Sequence, residues 1–173
     1  SLILQNTILS KYDFKEYINT QPEFNIDSSL SQTLIDNHLK RFQFKFPFLD
    51  EREILNFYDA YKNKQLENYM ADMNYFSFAS CRMFLIFSLN SLILKTTGDY
   101  KHLEPVRLLS AALRSLANCN LMNTYQSIEI YLLTILCLIR LHKDTSLLYQ
   151  LIQDASRAAI KLNMHKYTSY LSC

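Results

Sequence analysis

The residues with the widest chemical reach in this chain are four histidines and four cysteines, and their spacing limits what they can do together. His38, His102, His142 and His165 lie outside helical reach of one another and of any cysteine. Cys81, Cys119, Cys137 and Cys173 lack the short paired spacing from which zinc sites are built. No metal or cofactor site is therefore expected within the chain. The cysteines read as reduced thiols of a nuclear or cytosolic protein, three of them set inside apolar helical patterns. Catalytic pairs need not be neighbours in sequence, so this spacing weakens an enzyme reading without removing it. No convergent set of acid, base and nucleophile stands out, and no catalytic residue is assigned.

Charged and glycine residues narrow the field further. A single glycine, Gly98, cannot form a dinucleotide fingerprint or a phosphate-cradling loop, both of which need several unusual backbone angles. The net charge of +2 is spread along the chain, which is not the footprint of a nucleic-acid surface. Lys40-Arg41 with Lys45, interleaved with Phe42, Phe44 and Phe46, is the densest basic spot. It reads as a solvated helix end beside core phenylalanines, in preference to a base-stacking platform. Arg82, Arg140 and Arg157 sit among apolar neighbours. A guanidinium taken out of water needs carboxylate or carbonyl partners, so internal pairs with Asp72, Glu129 or Asp154 are expected. Nothing in the sequence marks an aromatic-lined cavity between helices.

The elements that position these side chains read as helices. With 173 residues, 49% hydrophobic and 13% aromatic, the chain has ample material for one core. One Gly, three Pro and recurrent helical spacing point to an all-α class. The expected architecture is a bundle of about six to eight packed antiparallel helices joined by short connections. Residues 1–33 read as a lead-in with a short helix near residues 12–17, interrupted at Gln21-Pro22, and residues 34–173 as the helical domain. Asp50 with Glu53 resembles a helix-capping arrangement and predicts a helix over 51–61. The apolar stretch 75–94 is long enough to span a bilayer, but Arg82 and Asn90 argue for a buried core helix instead. Thr96-Thr97-Gly98-Asp99 reads as a turn. Pro105 opens a helix with Val106, Leu108, Leu109, Ala112, Leu113 and Leu116 on one face.

The last third predicts a helical hairpin, 124–141 and 145–162, turning at His142-Lys143-Asp144. The first helix is apolar on nearly every side and is expected to be covered all round. The second sets Leu147, Leu148, Leu151, Ile152, Ala155, Ala158, Ala159 and Leu162 on one face. Asp144 or Thr145 can cap its start, and Asn163 can take a left-handed conformation at its end.

Ser127-Ile128-Glu129-Ile130 opening an apolar helix, then Tyr149, Ile152, Ala155, Arg157, Ala159, Leu162 and the ending Met164-His165-Lys166, resemble the regulatory (middle homology) domain of fungal zinc-cluster transcription factors. That pattern ends in Arg-x-Ala and then Leu-Gly-Leu-His-Arg. This chain departs from it at Tyr131 (usually Gln), Tyr149 (Trp), Gln153 and Asn163 (Gly) and Lys166 (Arg). Upstream, Leu34-Ile35-Asp36-Asn37-His38-Leu39, Phe46-Pro47-Phe48-Leu49 and the stretch 54–58 are similar to the family's opening helix, its turn and the next helix. The apolar 75–94 and the small-residue-rich 103–116 follow in the family's order.

The resemblance implies that the chain is the first part of a larger helical regulatory domain. It also implies a nuclear regulator of RNA polymerase II genes, with DNA contacted by a six-cysteine zinc cluster N-terminal to Ser1. The absence of an initial Met fits an excised fragment. Tyr149, Ala155, Arg157, Ala159, Leu162 and His165 are then family-motif residues with structural roles; His165 is expected to bond the last carbonyls of its helix. Candidate partners are DNA through another domain, a second copy or coregulator, and a small-molecule effector; a membrane is not among them. The rival reading is a helical-repeat scaffold binding other proteins, since the 108–116 and 147–155 apolar sets share a spacing, though no constant period accompanies it.

Overall fold

A computed structural model describes residues 4, 7–42, 51–98, 100, 103–117, 119–121, 124–141 and 145–171, with side chains for all of these except 42, 145 and 164–171. Its described residues form seven α-helices: α1 (Lys15–Asn19), α2 (Ser28–Phe42), α3 (Glu51–Lys62), α4 (Met73–Thr96), α5 (Pro105–Ser115), α6 (Tyr125–Leu141) and α7 (Thr145–Leu171). A short 3-10 turn, Leu66–Tyr69, precedes α4. The all-α helical bundle expected from composition is the architecture found.

α4 is the axis of the bundle and packs against α2, α3, α5 and α6. Asp72 starts it by accepting the Tyr75 N–H at 3.1 Å, which satisfies one of the orphan donors of the first turn. Neither Gly nor Pro interrupts its 24 residues. It ends where Gly98, at φ +81°, turns its N–H back to the Lys95 carbonyl. By length and composition α4 could cross a bilayer, yet every residue from 77 to 93 is buried by its neighbours.

Three polar side chains of α4 join it to its neighbours. Arg82 reaches Glu129 on α6 at 3.2 Å and Glu53 on α3 at 3.4 Å, and its guanidinium lies 4.7 Å from the Phe78 ring centre. Ser88 donates to the Pro105 carbonyl at 2.9 Å, holding the start of α5. Asn90 Nδ2 lies 3.0 Å from His38 Nδ1 of α2 and donates to the Ile86 carbonyl at 2.8 Å. Glu129 is thus the expected partner of Arg82, while Asp72 caps a helix instead. Glu53, read in the sequence as half of a capping arrangement with Asp50, bonds Arg82 and Tyr75 and so supplies charge that a buried guanidinium needs. Asp50 and the segment 43–50, with Phe44, Lys45 and the Phe46-Pro47-Phe48-Leu49 turn, lie outside the described residues.

Two boundaries and the covering of one helix differ from the sequence reading. α2 begins at Ser28, six residues before the expected domain start, because Asp27 accepts the N–H groups of Ser29 and Leu30 at 3.0 and 3.3 Å. α7 continues past Asn163 to Leu171, so Asn163 does not end it and His165 lies inside the helix, not at its last turn. α6 is not covered all round: Ile139 is 45% exposed, and Ile128, Leu132 and Leu136 are only partly buried.

The lead-in also does more than lead in. Leu9, Tyr12, Phe14, Tyr17 and Ile18 are buried in the same core as α4, and the short helix sits at Lys15–Asn19, not at 12–17. Its backbone carbonyls are tied to α5: Ser110 donates to Thr20 O at 2.7 Å and Arg114 to Ile18 O at 2.7 Å. Polar residues at intervals hid a strap that spans the bundle. Helices of 11, 24, 17 and 27 residues in α5, α4, α6 and α7 repeat no common unit.

Cys81, Cys119 and Cys137 are buried free thiols. Burial pushes the Cys119 and Cys137 thiols up to about 11 and about 12, and raises Cys81 as well. Groups held so far from the thiolate behave as small apolar side chains.

Burial, and then the nearby Arg82 charge, lower His38 to about 4. The native state thus holds His38 neutral, whereas the unfolded chain takes up a proton below about pH 6.5. Its contribution to stability is complete above that value and is lost as pH falls towards about 4. Urea unfolding is expected to show roughly 2 kcal/mol lost between pH 6.5 and pH 5 from this group, and a shallower slope in H38L. An H38L slope equal to that of the wild type would contradict the assignment.

Candidate functional site

The residues of the family-like pattern divide by the face of α7 they occupy. Leu147, Leu151 and Ala155 are buried against α6, as one-sided packing requires, and Ala159 and Leu162 are half-buried. Tyr149 points outward at 64% exposure, and Ile152 and Ile160 are exposed as well. The His165 side chain lies outside the described residues, as do His142, Asp144 and the Thr145 side chain at the turn. His102 lies outside as well. Arg140 is exposed, so it does not join Arg82 in the core.

Arg157 is not buried either. Its side chain is 71% exposed and pairs with Asp154, one turn earlier, at 3.4 Å. This pairing was foreseen, but its setting was not. Asp154 also accepts the Tyr12 hydroxyl and the Lys11 ammonium, the latter at 2.9 Å, and both of these come from the strap. Tyr131 of α6 donates to the strap at the Ile8 carbonyl, 3.4 Å away. Its ring meets that of Tyr12 edge to face at 6.4 Å. Strap, α6 and α7 are therefore joined through one carboxylate and two phenols.

The electrostatics follow from that geometry. Burial works to raise the Asp154 carboxyl, but hydrogen bonds from Tyr12 and Lys11 and the Lys11 and Arg157 charges outweigh it. The carboxyl is held below its usual value. Burial, and then the bond to Asp154, push the Tyr12 phenol well above its ordinary value, so it stays a donor at neutral pH.

Beside this junction lies a cleft of about 350 Å³. Its walls include Lys11 of the strap, Ser127 and Tyr131 of α6, and Asp154, Arg157 and Lys161 of α7. A second hollow of about 280 Å³ shares Lys11, Asp154 and Arg157 from the other side. The sequence reading named Ser127, Tyr131, Asp154 and Arg157 among these side chains, but of the bonds at this site it expected only the pairing of Arg157 with Asp154. Lys11 and Tyr12 reach the site from more than a hundred residues away, and only their place on the strap brings them there. Among the described residues, no group of three or more His, Cys, Asp or Glu could hold a metal ion.

Comparison with known proteins adds one likeness. A Saccharomyces cerevisiae protein named an uncharacterized transcriptional regulatory protein is 34% identical over 177 aligned residues, covering 90% of this chain. The chain spans 13% of that protein's length. No protein-family model matches the chain, and no solved structure matches it.

Asp154 is the member of this junction whose loss should cost most. D154A removes the acceptor for Tyr12 and two cations, and is expected to destabilise the protein by about 1–3 kcal/mol in urea unfolding. Y12F, which leaves both cations paired, should cost less. A D154A effect within about 0.5 kcal/mol of zero would contradict the junction's role.

Proposed function

We propose that this chain is part of the regulatory region of a fungal transcription factor of the zinc-cluster class, non-catalytic and working in the nucleus. The observation that carries the reading is the 34% identity, over 90% of the chain, to a yeast protein named as a transcriptional regulator. The finer assignment to the zinc-cluster class rests on the residue pattern from Ser127 to Lys166 and on the order of the helices before it. In this reading a six-cysteine zinc cluster outside this stretch contacts DNA, and this stretch restrains, dimerises or senses.

The helices supply a means of doing so. The strap is joined to α7 through Asp154 and to α6 through Tyr131. These polar bonds can be made or broken while the core side chains of the strap stay in place, and a ligand or partner that favours one state shifts the balance between them. An activation segment masked in one state and released in the other is then under the control of this domain.

The test is a deletion of residues 34–166 from the full-length factor, read by transcription from its target promoters with and without inducing conditions. The expected outcome is altered output, or loss of the inducer response, with promoter occupancy retained. Unchanged transcription and an unchanged response would overturn the reading.

A further inference from the structure

The cleft between the strap, α6 and α7 carries more positive charge than its own walls neutralise. Lys11 and Arg157 share the single carboxylate of Asp154, at 2.9 and 3.4 Å. Lys161, one turn beyond Arg157 on the same face of α7, has no carboxylate partner among the described residues. Three cations thus border one acid. An uncompensated excess of this kind, inside a concave site, attracts anions more strongly than the same charges spread over a flat surface.

The rest of the lining refines what kind of anion fits. Ser127 and Tyr131 are buried side chains on the α6 wall. The Tyr131 hydroxyl reaches the Ile8 carbonyl at 3.4 Å, a long contact for an O–H donor, so its proton can turn to a better acceptor. Ile8 and Ala158 add short apolar patches. The volume of about 350 Å³ stands near the lower end of the roughly 300–1,000 Å³ range of ligand pockets. We propose that this cleft is a binding site for a small organic dianion, a dicarboxylate or a phosphate monoester. A dicarboxylate sets one charged end against Lys161 and Arg157 and the other against Lys11; a phosphate monoester sets its single dianionic group among these three cations; in either case the body lies over Tyr131. Such a ligand bridges the strap and α7 and holds the strap docked. The inference concerns binding alone and does not rest on the transcriptional reading.

The test is calorimetric titration of the purified protein with succinate and with glycerol phosphate, against inorganic sulfate and neutral glycerol, all at one ionic strength. Saturable one-to-one binding of at least one organic dianion is expected, with sulfate and glycerol at least about tenfold weaker; which dianion binds identifies the charged group recognised. K161A, at an exposed and unpaired position, should keep the wild-type melting temperature and weaken binding about tenfold, the worth of one charge-assisted bond. K95A, whose lysine pairs with Glu104, should leave it unchanged. As a readout free of variants, bound dianion should slow acetylation of Lys161 in the wild-type protein, followed by mass spectrometry. No saturable binding of either dianion, sulfate binding as tightly as both, or full affinity in K161A with no protection of Lys161 would overturn the proposal.

Discussion

The buried ion pair of Arg82 is the constraint on which the arrangement of this bundle depends. Its guanidinium sits at 2% exposure in the middle of the axial helix α4, where a charge without partners is prohibitively costly. Glu129 on α6, itself nearly buried, and Glu53 on α3 supply the charge. Since only one rotation and one axial position of α4 bring Arg82 to both acids, the pair sets how α3, α4 and α6 stand against one another. A well-packed apolar trio could be as stable, so what the pair contributes is foremost a unique register. The same helix then places Ser88 on α5 and Asn90 on α2, so one element addresses all its neighbours with specific polar groups as well as apolar surface.

That arrangement was partly legible in the sequence. Apolar spacing exposed α4, α5, α6 and α7, and the reasoning that a buried arginine must be paired led to Glu129. Glu53 was hidden by a second plausible use, since a glutamate three residues after an aspartate also reads as a cap. The strap was hidden for a different reason. Its core side chains, Leu9, Tyr12, Phe14, Tyr17 and Ile18, follow neither a helical nor a strand period, because an irregular segment buries whichever residues happen to face inward. Helix ends were least legible: Asp27 starts α2 with a local side-chain bond, while Asn163, though suited to a helix end, is carried through as helix.

The candidate site shows the same division. Asp154 and Arg157 are one turn apart, so their pairing follows from helix geometry alone. That Tyr12 and Lys11 join them depends on the strap crossing α5 and reaching α7, which only tertiary structure decides. The family-like residues Ala155 and Ala159 and the cleft residues Asp154, Arg157 and Lys161 thus share one helix, α7. The strap that brings Lys11 and Tyr12 to the cleft is also held to α5, through Ser110 and Arg114 at its carbonyls.

The most direct measurement of the central claim is a double-mutant cycle between Arg82 and Glu129, using R82M, E129Q and the pair together in urea unfolding. If the ion pair sets the register, each single change leaves a buried polar group without its partner, and the double variant regains part of that loss. The predicted coupling is at least about 1 kcal/mol. Single effects that add to within about 0.5 kcal/mol would contradict the claim, because they would mean that the two residues stabilise the bundle independently.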